Sequence, residues 1–291
     1  MNLPFVLGTA QFDLEYGITN TVGCIKSSEI DNIISCCINE GICCFDSAFA
    51  YGNSLDRLIA AVPLGIRKDI EIVNKFSLKD DLSYVYDKLS NYIFSSGISK
   101  FYALLIHDPQ EVANININRL LDFFYKLKHY GIVNKIGTSI YNTQELKIIL
   151  ENIPIDIVQC PINLFDQSLL SHDYIDIIKK HGIELHARSL FLQGVLLADK
   201  LPDKLKALSK LWDRYKSLLK ALNMTSIEFI MSWVHSIPCI DKWVIGVTSS
   251  KELQEIICNY KMAKPFDTRY NYENLSDPNN LLTNPSNWSI K

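Results

Sequence analysis

Short apolar runs typical of buried β-strands alternate with amphipathic, helix-like segments along the whole chain. Because alternating strands and helices with short connections form parallel sheets with right-handed crossovers, this order predicts an α/β fold. Eight such units within 291 residues fit a closed (β/α)8 TIM barrel. The predicted strands are Phe5–Ala10, Cys43–Ser47, Ile70–Phe76, Tyr102–His107, Lys135–Ile140, Ile157–Ile162, Glu184–Ser189 and Trp243–Val247.

Helical patterns fill the intervals, and two of them lie between the seventh and eighth strands, so one extra helix decorates the barrel. We expect a single domain over residues 1–291, in which an irregular tail at 263–291 packs on or near a barrel face. The rival fold, a doubly wound open sheet, predicts a G-x-G-x-x-G turn after the first strand, where this chain has one glycine, Gly8. The predicted helices are Ser28–Glu40, Ser54–Ala61, Asp81–Phe94, Asn118–Tyr130, Thr143–Glu151, Leu169–His181, Leu205–Leu222, Ser226–Ser236 and Ser250–Tyr260.

Composition excludes several classes of partner. The net charge of −3, without clustered basic residues, argues against nucleic acid as a partner. No apolar run reaches the roughly 20 residues of a membrane span, and no signal peptide is recognisable, so we expect a cytoplasmic protein. The histidines and cysteines do not have the spacing of zinc ligands, so we predict no metal site. We expect the eight cysteines to be buried, free thiols. We expect a monomer or a weak homo-oligomer.

Chemically reactive side chains stand at the ends of three consecutive predicted strands. Asp46 ends the second strand with Tyr51 on the loop beyond it, Lys75 lies near the end of the third, and His107 ends the fourth. Because strand C-termini in an α/β barrel converge on the face that carries the active site, we expect these four residues to lie together. A tyrosine is a poor acid unless its pKa, about 10 when unperturbed, is lowered, and Lys75 is the cation predicted to lower it.

In this set and its order the chain resembles the aldo-keto reductases. The similarity runs from Leu7-Gly8-Thr9-Ala10 to Gly246-Val247-Thr248-Ser249-Ser250 and covers nearly the full barrel. The resemblance implies hydride transfer from NAD(P)H to an aldehyde or ketone, with Tyr51 as general acid/base, Lys75 held by Asp46, and His107 orienting the carbonyl. The segment Arg-Ser-Leu-Phe-Leu-Gln-Gly is similar to that of bacterial members associated with surface-polysaccharide genes, which implies a sugar or nucleotide-sugar substrate.

The same resemblance implies a set of cofactor-binding residues, and two of its positions depart from the family pattern. Ile140 stands where the family has an Asn that contacts the nicotinamide carboxamide, so that contact is lost or comes from elsewhere, for example from Asn163. Arg188 stands where an aromatic ring commonly stacks on nicotinamide, so it either stacks in its place or reaches an acidic group of the substrate. The implied set is Gly8, Thr9, Ala10, Asp46, Ser139, Gln159, Arg188, Ser189, Leu190, Leu192, Gly194, Gly246, Thr248, Glu252 and Glu255.

Cofactor preference is predicted from the end of the eighth strand. Members that prefer NADPH commonly place a cation or an amide where this chain has Glu252. A carboxylate repels a 2′-phosphate but can bind ribose hydroxyls, which favours use of NADH at least as well as NADPH, and the neighbouring cation Lys251 acts in the opposite sense.

The sequence argues against two other classes of function. A cofactor-sensing regulatory subunit with this fold need not retain the acid, so the intact Asp–Tyr–Lys–His set argues against it. A metal-dependent barrel hydrolase predicts a His-x-His on the first strand, and Phe5–Gln11 contains no histidine.

Overall fold

The computed structural model describes residues 3–266, 272–277, 283–285 and 288. Eight parallel strands close into a barrel in sequence order, each pairing with its neighbours along the chain and β8 pairing with β1. The predicted TIM barrel and all eight predicted strands are confirmed, with ends that shift by a few residues. The strands are β1 (Phe5–Gly8), β2 (Cys44–Asp46), β3 (Glu71–Phe76), β4 (Phe101–Ile106), β5 (Val133–Ser139), β6 (Ile157–Pro161), β7 (Glu184–Arg188) and β8 (Lys242–Ile245).

Helices surround the barrel, and the extra helix predicted between β7 and β8 is confirmed as α7. Two predicted starts were too early, because short 3₁₀ helices at Ser168–Leu170 and Asp203–Leu208 precede α6 and α7. The predicted start of α8 carries a capping box between Thr225 and Glu228. The helices are α1 (Ser27–Asn39), α2 (Ser54–Ala61), α3 (Leu82–Ser96), α4 (Ile117–His129), α5 (Thr143–Asn152), α6 (His172–Lys180), α7 (Ser209–Leu222), α8 (Ser226–His235) and α9 (Ser250–Met262).

Inside the barrel a polar cluster, here called the floor cluster, occupies the end where the strands begin. In it the Tyr102 hydroxyl donates to Glu184 Oε2 at 2.6 Å, Lys135 bonds to both of them, and Lys242 Nζ donates to Glu71 Oε2 at 2.6 Å. His186, predicted to be a packed strand residue, is fully buried and pairs with Glu184 Oε1 at 2.7 Å. An apolar layer comes next along the strands: Val6, Cys44, Val73, Ala103, Leu105 and Ile157.

Strand β5 approaches its neighbour closely enough to require a glycine. A Cβ on Gly137 would lie 2.1 Å from the Ile157 backbone oxygen and 2.7 Å from Leu105 Cδ2. The barrel therefore stays narrow below the strand ends, and the apolar layer fills its cross-section.

All eight cysteines are free, and half of them are buried, among them Cys37 and Cys160. The prediction of buried thiols was wrong for Cys24 and Cys258, which are exposed because each lies on a solvent-facing loop or helix face. Within the described ranges, no helix is both long and apolar enough to cross a membrane.

The tail contacts the body through its described segments. The Phe266 N–H donates to Ser236 Oγ at 2.7 Å, and its ring centroid lies 4.6 Å from that of Phe229. The Asp277 N–H donates to the Phe165 oxygen at 2.9 Å. Residues 267–271, 278–282, 286–287 and 289–291 lie outside the described residues. Packing of the whole 263–291 tail therefore stays a prediction.

Candidate active site

Two cavities open at the carboxyl ends of the barrel strands. The larger, about 790 Å³, is lined near the barrel axis by Asp46, Tyr51, Gln159 and Arg188. The second, about 530 Å³, is lined by His107 and by the loops after β3, β4 and β5. The Tyr51 and His107 rings connect them, with centroids 6.1 Å apart and planes at 84°.

A buried ion pair forms the base of the larger cavity. Lys75 Nζ donates to Asp46 Oδ1 at 2.6 Å and to the Ser47 backbone oxygen at 3.0 Å. Both side chains are almost fully buried, at 2% and 5% exposure. The second carboxylate oxygen, Asp46 Oδ2, accepts from Gln159 Nε2 at 2.8 Å. Removing either charge would leave the other buried without an opposite charge beside it, so the pair holds both strand ends in place.

The backbone of Asp46 is fixed from β1. The Thr9 N–H and hydroxyl both donate to the Asp46 backbone oxygen, at 2.9 and 3.0 Å. The Thr9 hydroxyl also lies 2.8 Å from Ser54 Oγ at the start of α2. Thr9, implied by sequence to bind cofactor, is in contact with the site and supports the carboxylate.

Tyr51 lies beside the ion pair, with Lys75 Nζ 5.3 Å from its ring centroid. The expectation that Lys75 lowers the tyrosine pKa was wrong. Burial first, and then the Asp46 carboxylate, raise the pKa of Tyr51, and Arg188 opposes them. The physical reason is that Asp46, at 2.6 Å, offsets part of the Lys75 charge, so the ammonium does not outweigh the effect of burial. The phenol therefore stays protonated at neutral pH, which is the form that donates a proton.

His107 faces the tyrosine as a neutral imidazole. Burial, and then the Lys75 charge, lower its pKa from 6.5 to about 4. Its backbone N–H donates to the Phe76 oxygen at 2.9 Å, which continues the sheet pairing and positions the ring at the cavity wall. A neutral histidine can donate one hydrogen bond to a carbonyl oxygen without carrying charge.

The lowered pKa of His107 predicts a pH-dependent stability. Between pH 4 and 6.5 the unfolded chain binds a proton at this residue that the folded chain does not bind. The stability that neutral His107 contributes is therefore complete above pH 6.5 and is lost as the pH falls toward 4. We expect His107→Gln to reduce the slope of the unfolding free energy against pH in this window, measured by urea denaturation. Equal slopes in the two proteins would contradict a half-buried, neutral His107.

Arg188 lies at the end of β7 and packs against the loop after β5. Its guanidinium carbon is 4.3 Å from the centroid of the Tyr141 ring, and Nη2 donates to the Ile140 backbone oxygen at 3.3 Å. Sequence reasoning missed Tyr141, and also Tyr16, which lines the larger cavity from the β1–α1 loop. Neither tyrosine belongs to a motif, since only the folded barrel brings these loops together.

The implied cofactor residues divide into those on the cavity wall and those behind it. Ser139 and Leu192 are buried and line neither of the two cavities described above. Asn163, the substitute considered for a carboxamide contact, is fully buried, and its Oδ1 accepts from the Phe165 and Asp166 N–H groups of its own turn. The larger cavity is lined by Gly8, Thr9, Ala10, Asp46, Gln159, Arg188, Ser189, Leu190, Gly194, Gly246, Thr248, Glu252 and Glu255.

The shape of this cavity and its hydrogen-bonding groups fit a dinucleotide. It runs from the barrel axis past the β7 loop to the N-terminal turn of α9, and its volume suits an elongated ligand. At the axis, Gln159 Nε2 is bound to Asp46, while its Oε1 accepts no hydrogen bond from the described residues and can accept one from a carboxamide. Ser189 and Gly194 have positive φ, so the β7 loop turns tightly and leaves room along the cavity wall.

The β1–α1 loop is tied to the β7 loop at the edge of this cavity, a connection that the sequence did not reveal. The Ile18 N–H donates to Gln193 Oε1 at 3.1 Å, and the Thr19 hydroxyl donates to the Gln193 backbone oxygen at 2.9 Å. A Cβ on Gly194 would lie 1.9 Å from Thr19 Oγ1, and Gly194 has φ +86°, so glycine is required there. We call residues 16–22, all of which except Ile18 line the cavity, the strap.

The fold and the site together define a closed (β/α)8 barrel that brings an aspartate–lysine pair, a tyrosine and a histidine together at the carboxyl ends of its strands. The model of the Aldo/keto reductase family matches residues 4–269, so the chain belongs to that family. The family comprises oxidoreductases that use NAD(P)H on carbonyl compounds.

Solved structures share this fold at low sequence identity. The aldo-keto reductase AKR11C1 from Bacillus halodurans, in its holo form, is 15% identical, covers 94% of this chain and 92% of its own, and has a TM-score of 0.72. MGS-M4, an aldo-keto reductase from a Medee basin deep-sea metagenome library, is 17% identical, covers 96% and 93%, and has a TM-score of 0.65. Comparison with curated protein sequences finds no match.

Proposed function

We propose that the protein reduces an aldehyde or ketone to an alcohol with NAD(P)H, and that Tyr51 is the general acid. The observation that carries this proposal is the contact between Lys75 and Asp46 at 2.6 Å beneath a half-buried, protonated tyrosine at the cavity wall. Membership of the aldo/keto reductase family supports carbonyl reduction with NAD(P)H in general, and the arrangement of these side chains supports the roles assigned to them.

The bound cofactor supplies the hydride. His107, neutral at physiological pH, donates a hydrogen bond to the substrate carbonyl oxygen and orients it toward the tyrosine. Tyr51 gives its proton to that oxygen as negative charge develops on it. The Lys75 charge, 5.3 Å from the ring centroid, favours the phenolate that results, while Asp46 keeps Lys75 in place. Water that enters through the cavity then restores the phenol.

The substrate side of the site is polar. The second cavity presents side chains of Ser77, Asp108, Gln110 and Asn142 beside His107. Hydroxyl, amide and carboxylate groups at a binding site match the hydrogen-bonding groups of a polyhydroxylated compound. This lining supports a sugar or nucleotide sugar as the carbonyl substrate.

A cofactor-oxidation screen tests the proposed function. Purified protein with NADH or NADPH is mixed with a panel of aldehydes, ketones and sugars, and the loss of absorbance at the reduced nicotinamide band is followed. We expect turnover on at least one carbonyl and none with Tyr51→Phe above background. Saturable cofactor binding without turnover on any compound would favour a cofactor-sensing regulatory subunit and would contradict the proposal.

For cofactor preference, we expect kcat/KM with NADH to equal or exceed that with NADPH. Glu252 lines the cavity near α9, where Oε2 accepts from the Thr248 N–H at 2.6 Å and Oε1 from its hydroxyl at 3.0 Å. Held in this way, the carboxylate repels a 2′-phosphate. Glu252→Gln should raise kcat/KM for NADPH about 2- to 5-fold. A hundredfold preference of the wild type for NADPH would refute the prediction, and Glu151→Gln on α5 is the control.

A further inference from the structure

Arg188 carries a positive charge at the junction of the two cavities. Its side chain is half-buried, lines the larger cavity, and stacks on Tyr141, which lines the second. It also acts on the catalytic groups, because its charge lowers the pKa of Tyr51 and of His107. The guanidinium thus lies within electrostatic reach of the position where the carbonyl is reduced.

The hydrogen-bonding capacity of this guanidinium is only partly used. Of its five N–H donors, one meets the Ile140 oxygen at 3.3 Å and another the Ser189 hydroxyl at 3.5 Å. Among the described residues, no carboxylate oxygen lies within 4.0 Å of an Arg188 nitrogen, since Arg188 takes part in none of the ion pairs of this part of the chain. Arginines that leave bulk water are usually paired, so an unpaired one on a cavity wall indicates an anionic ligand.

Nearby carboxylates are already engaged elsewhere. Asp46 accepts hydrogen bonds from Lys75 and from Gln159, one on each oxygen. Asp166 Oδ1 accepts from the Ser168 hydroxyl at 2.7 Å and from its N–H at 3.3 Å. Neither supplies the missing counter-ion to Arg188.

We propose that Arg188 binds a carboxylate carried by the carbonyl substrate, so that the preferred substrates are aldehyde or keto acids. This inference rests on the proposed function, because it concerns the same site. Stacking of Arg188 on the nicotinamide is less favourable, since the oxidised ring is itself cationic and the two charges repel each other. The planar guanidinium matches a carboxylate with two parallel hydrogen bonds, and the Tyr141 ring holds its plane.

Substrate pairs that differ only in the acid group test the proposal. Initial rates are measured with succinate semialdehyde against butanal, and with 4-carboxybenzaldehyde against 4-methylbenzaldehyde, at fixed saturating cofactor. We expect the wild type to favour each acid by about 10- to 100-fold in kcat/KM, the range of a charge-assisted hydrogen bond to a carboxylate. Glyceraldehyde 3-phosphate is compared with glyceraldehyde in the same way, to test for recognition of a phosphate. A preference for the phosphorylated aldehyde without a preference for the carboxylate-bearing aldehydes would overturn the proposal.

Variants assign the preference to this residue. Arg188→Met keeps the length of the side chain and its contact with Tyr141 without the charge, and should abolish the preference for acids, so that the acid-to-neutral ratio of kcat/KM falls to about 1. Arg188→Lys should retain part of the preference for acids. Lys216→Met, which removes the other Lys or Arg that lines the larger cavity among the described residues, should leave the acid-to-neutral ratio unchanged.

Two outcomes would overturn the inference without touching the proposed function. In one, the wild type turns over neutral aldehydes as well as acids. In the other, Arg188→Met lowers kcat/KM for both members of a pair equally and raises the Kd for NAD(P)H, measured by quenching of tryptophan fluorescence, which would make Arg188 a cofactor ligand. Absence of turnover on every compound, in contrast, is failure of the proposed function itself.

Discussion

Replacing Tyr51 with Phe is expected to lower kcat for carbonyl reduction by about 10²–10⁴-fold, the usual contribution of a positioned general acid. The ring remains between Lys75 and His107, so the cavity keeps its shape and only the proton donor is lost. The Kd for reduced cofactor should change by less than about threefold. Single-turnover kinetics with saturating NAD(P)H and an aldehyde found in the screen measures the chemical step directly.

Tyr16→Phe is the matched control for this variant. It removes a tyrosine hydroxyl from the same cavity wall, where the side chain is hydrogen-bonded to Gln193, and its kcat should stay within about threefold of the wild type. If Tyr51→Phe retained more than a tenth of the wild-type rate, the proton would come from another group, and the role assigned to Tyr51 would be wrong.

Replacing Lys75 with Met is expected to damage both stability and catalysis. The change leaves the Asp46 carboxylate buried beside an apolar chain, and breaking a buried ion pair in this way costs about 3–5 kcal/mol of the free energy of unfolding. Only the hydrogen bond from Gln159 then remains on that carboxylate. Urea denaturation at pH 7 measures the loss, and cofactor oxidation should fall at least as far as in Tyr51→Phe.

A double-mutant cycle separates these two effects. Asp46→Asn combined with Lys75→Met removes both charges, so it should recover a large part of the lost stability and none of the activity. The double variant also keeps the experiment informative if Lys75→Met alone does not fold. Additive effects of the two substitutions on the free energy of unfolding would mean that the charges do not interact, contrary to their 2.6 Å contact.

The strand pattern was predictable because each strand is a short apolar run with a helix after it. For the same reason the convergence of Asp46, Tyr51, Lys75 and His107 followed from their places at strand ends, and the structure brings their loops together. Helix starts were less predictable where a 3₁₀ turn continues the same hydrophobic pattern, as before α6 and α7.

Other properties of the site depend on distances that no linear pattern contains. The direction of the Tyr51 pKa shift results from burial and from the Asp46 carboxylate, which Arg188 opposes. The surroundings of Arg188 depend on Tyr141, which arrives from a loop two strands away in the barrel. The hydrogen bonds between the strap and Gln193 likewise join residues that lie 174 and 175 positions apart in the sequence.

The apolar layer inside the barrel has a consequence for the supply of protons. It separates the floor cluster, with Glu184 and His186, from the ion pair at the mouth. An apolar layer of this kind offers no hydrogen-bonded path, so we expect the proton that Tyr51 loses in each cycle to return from the solvent side. Tyr51 can then be reprotonated only after the alcohol product has left the cavity. Proton uptake would therefore be linked to product release rather than to hydride transfer.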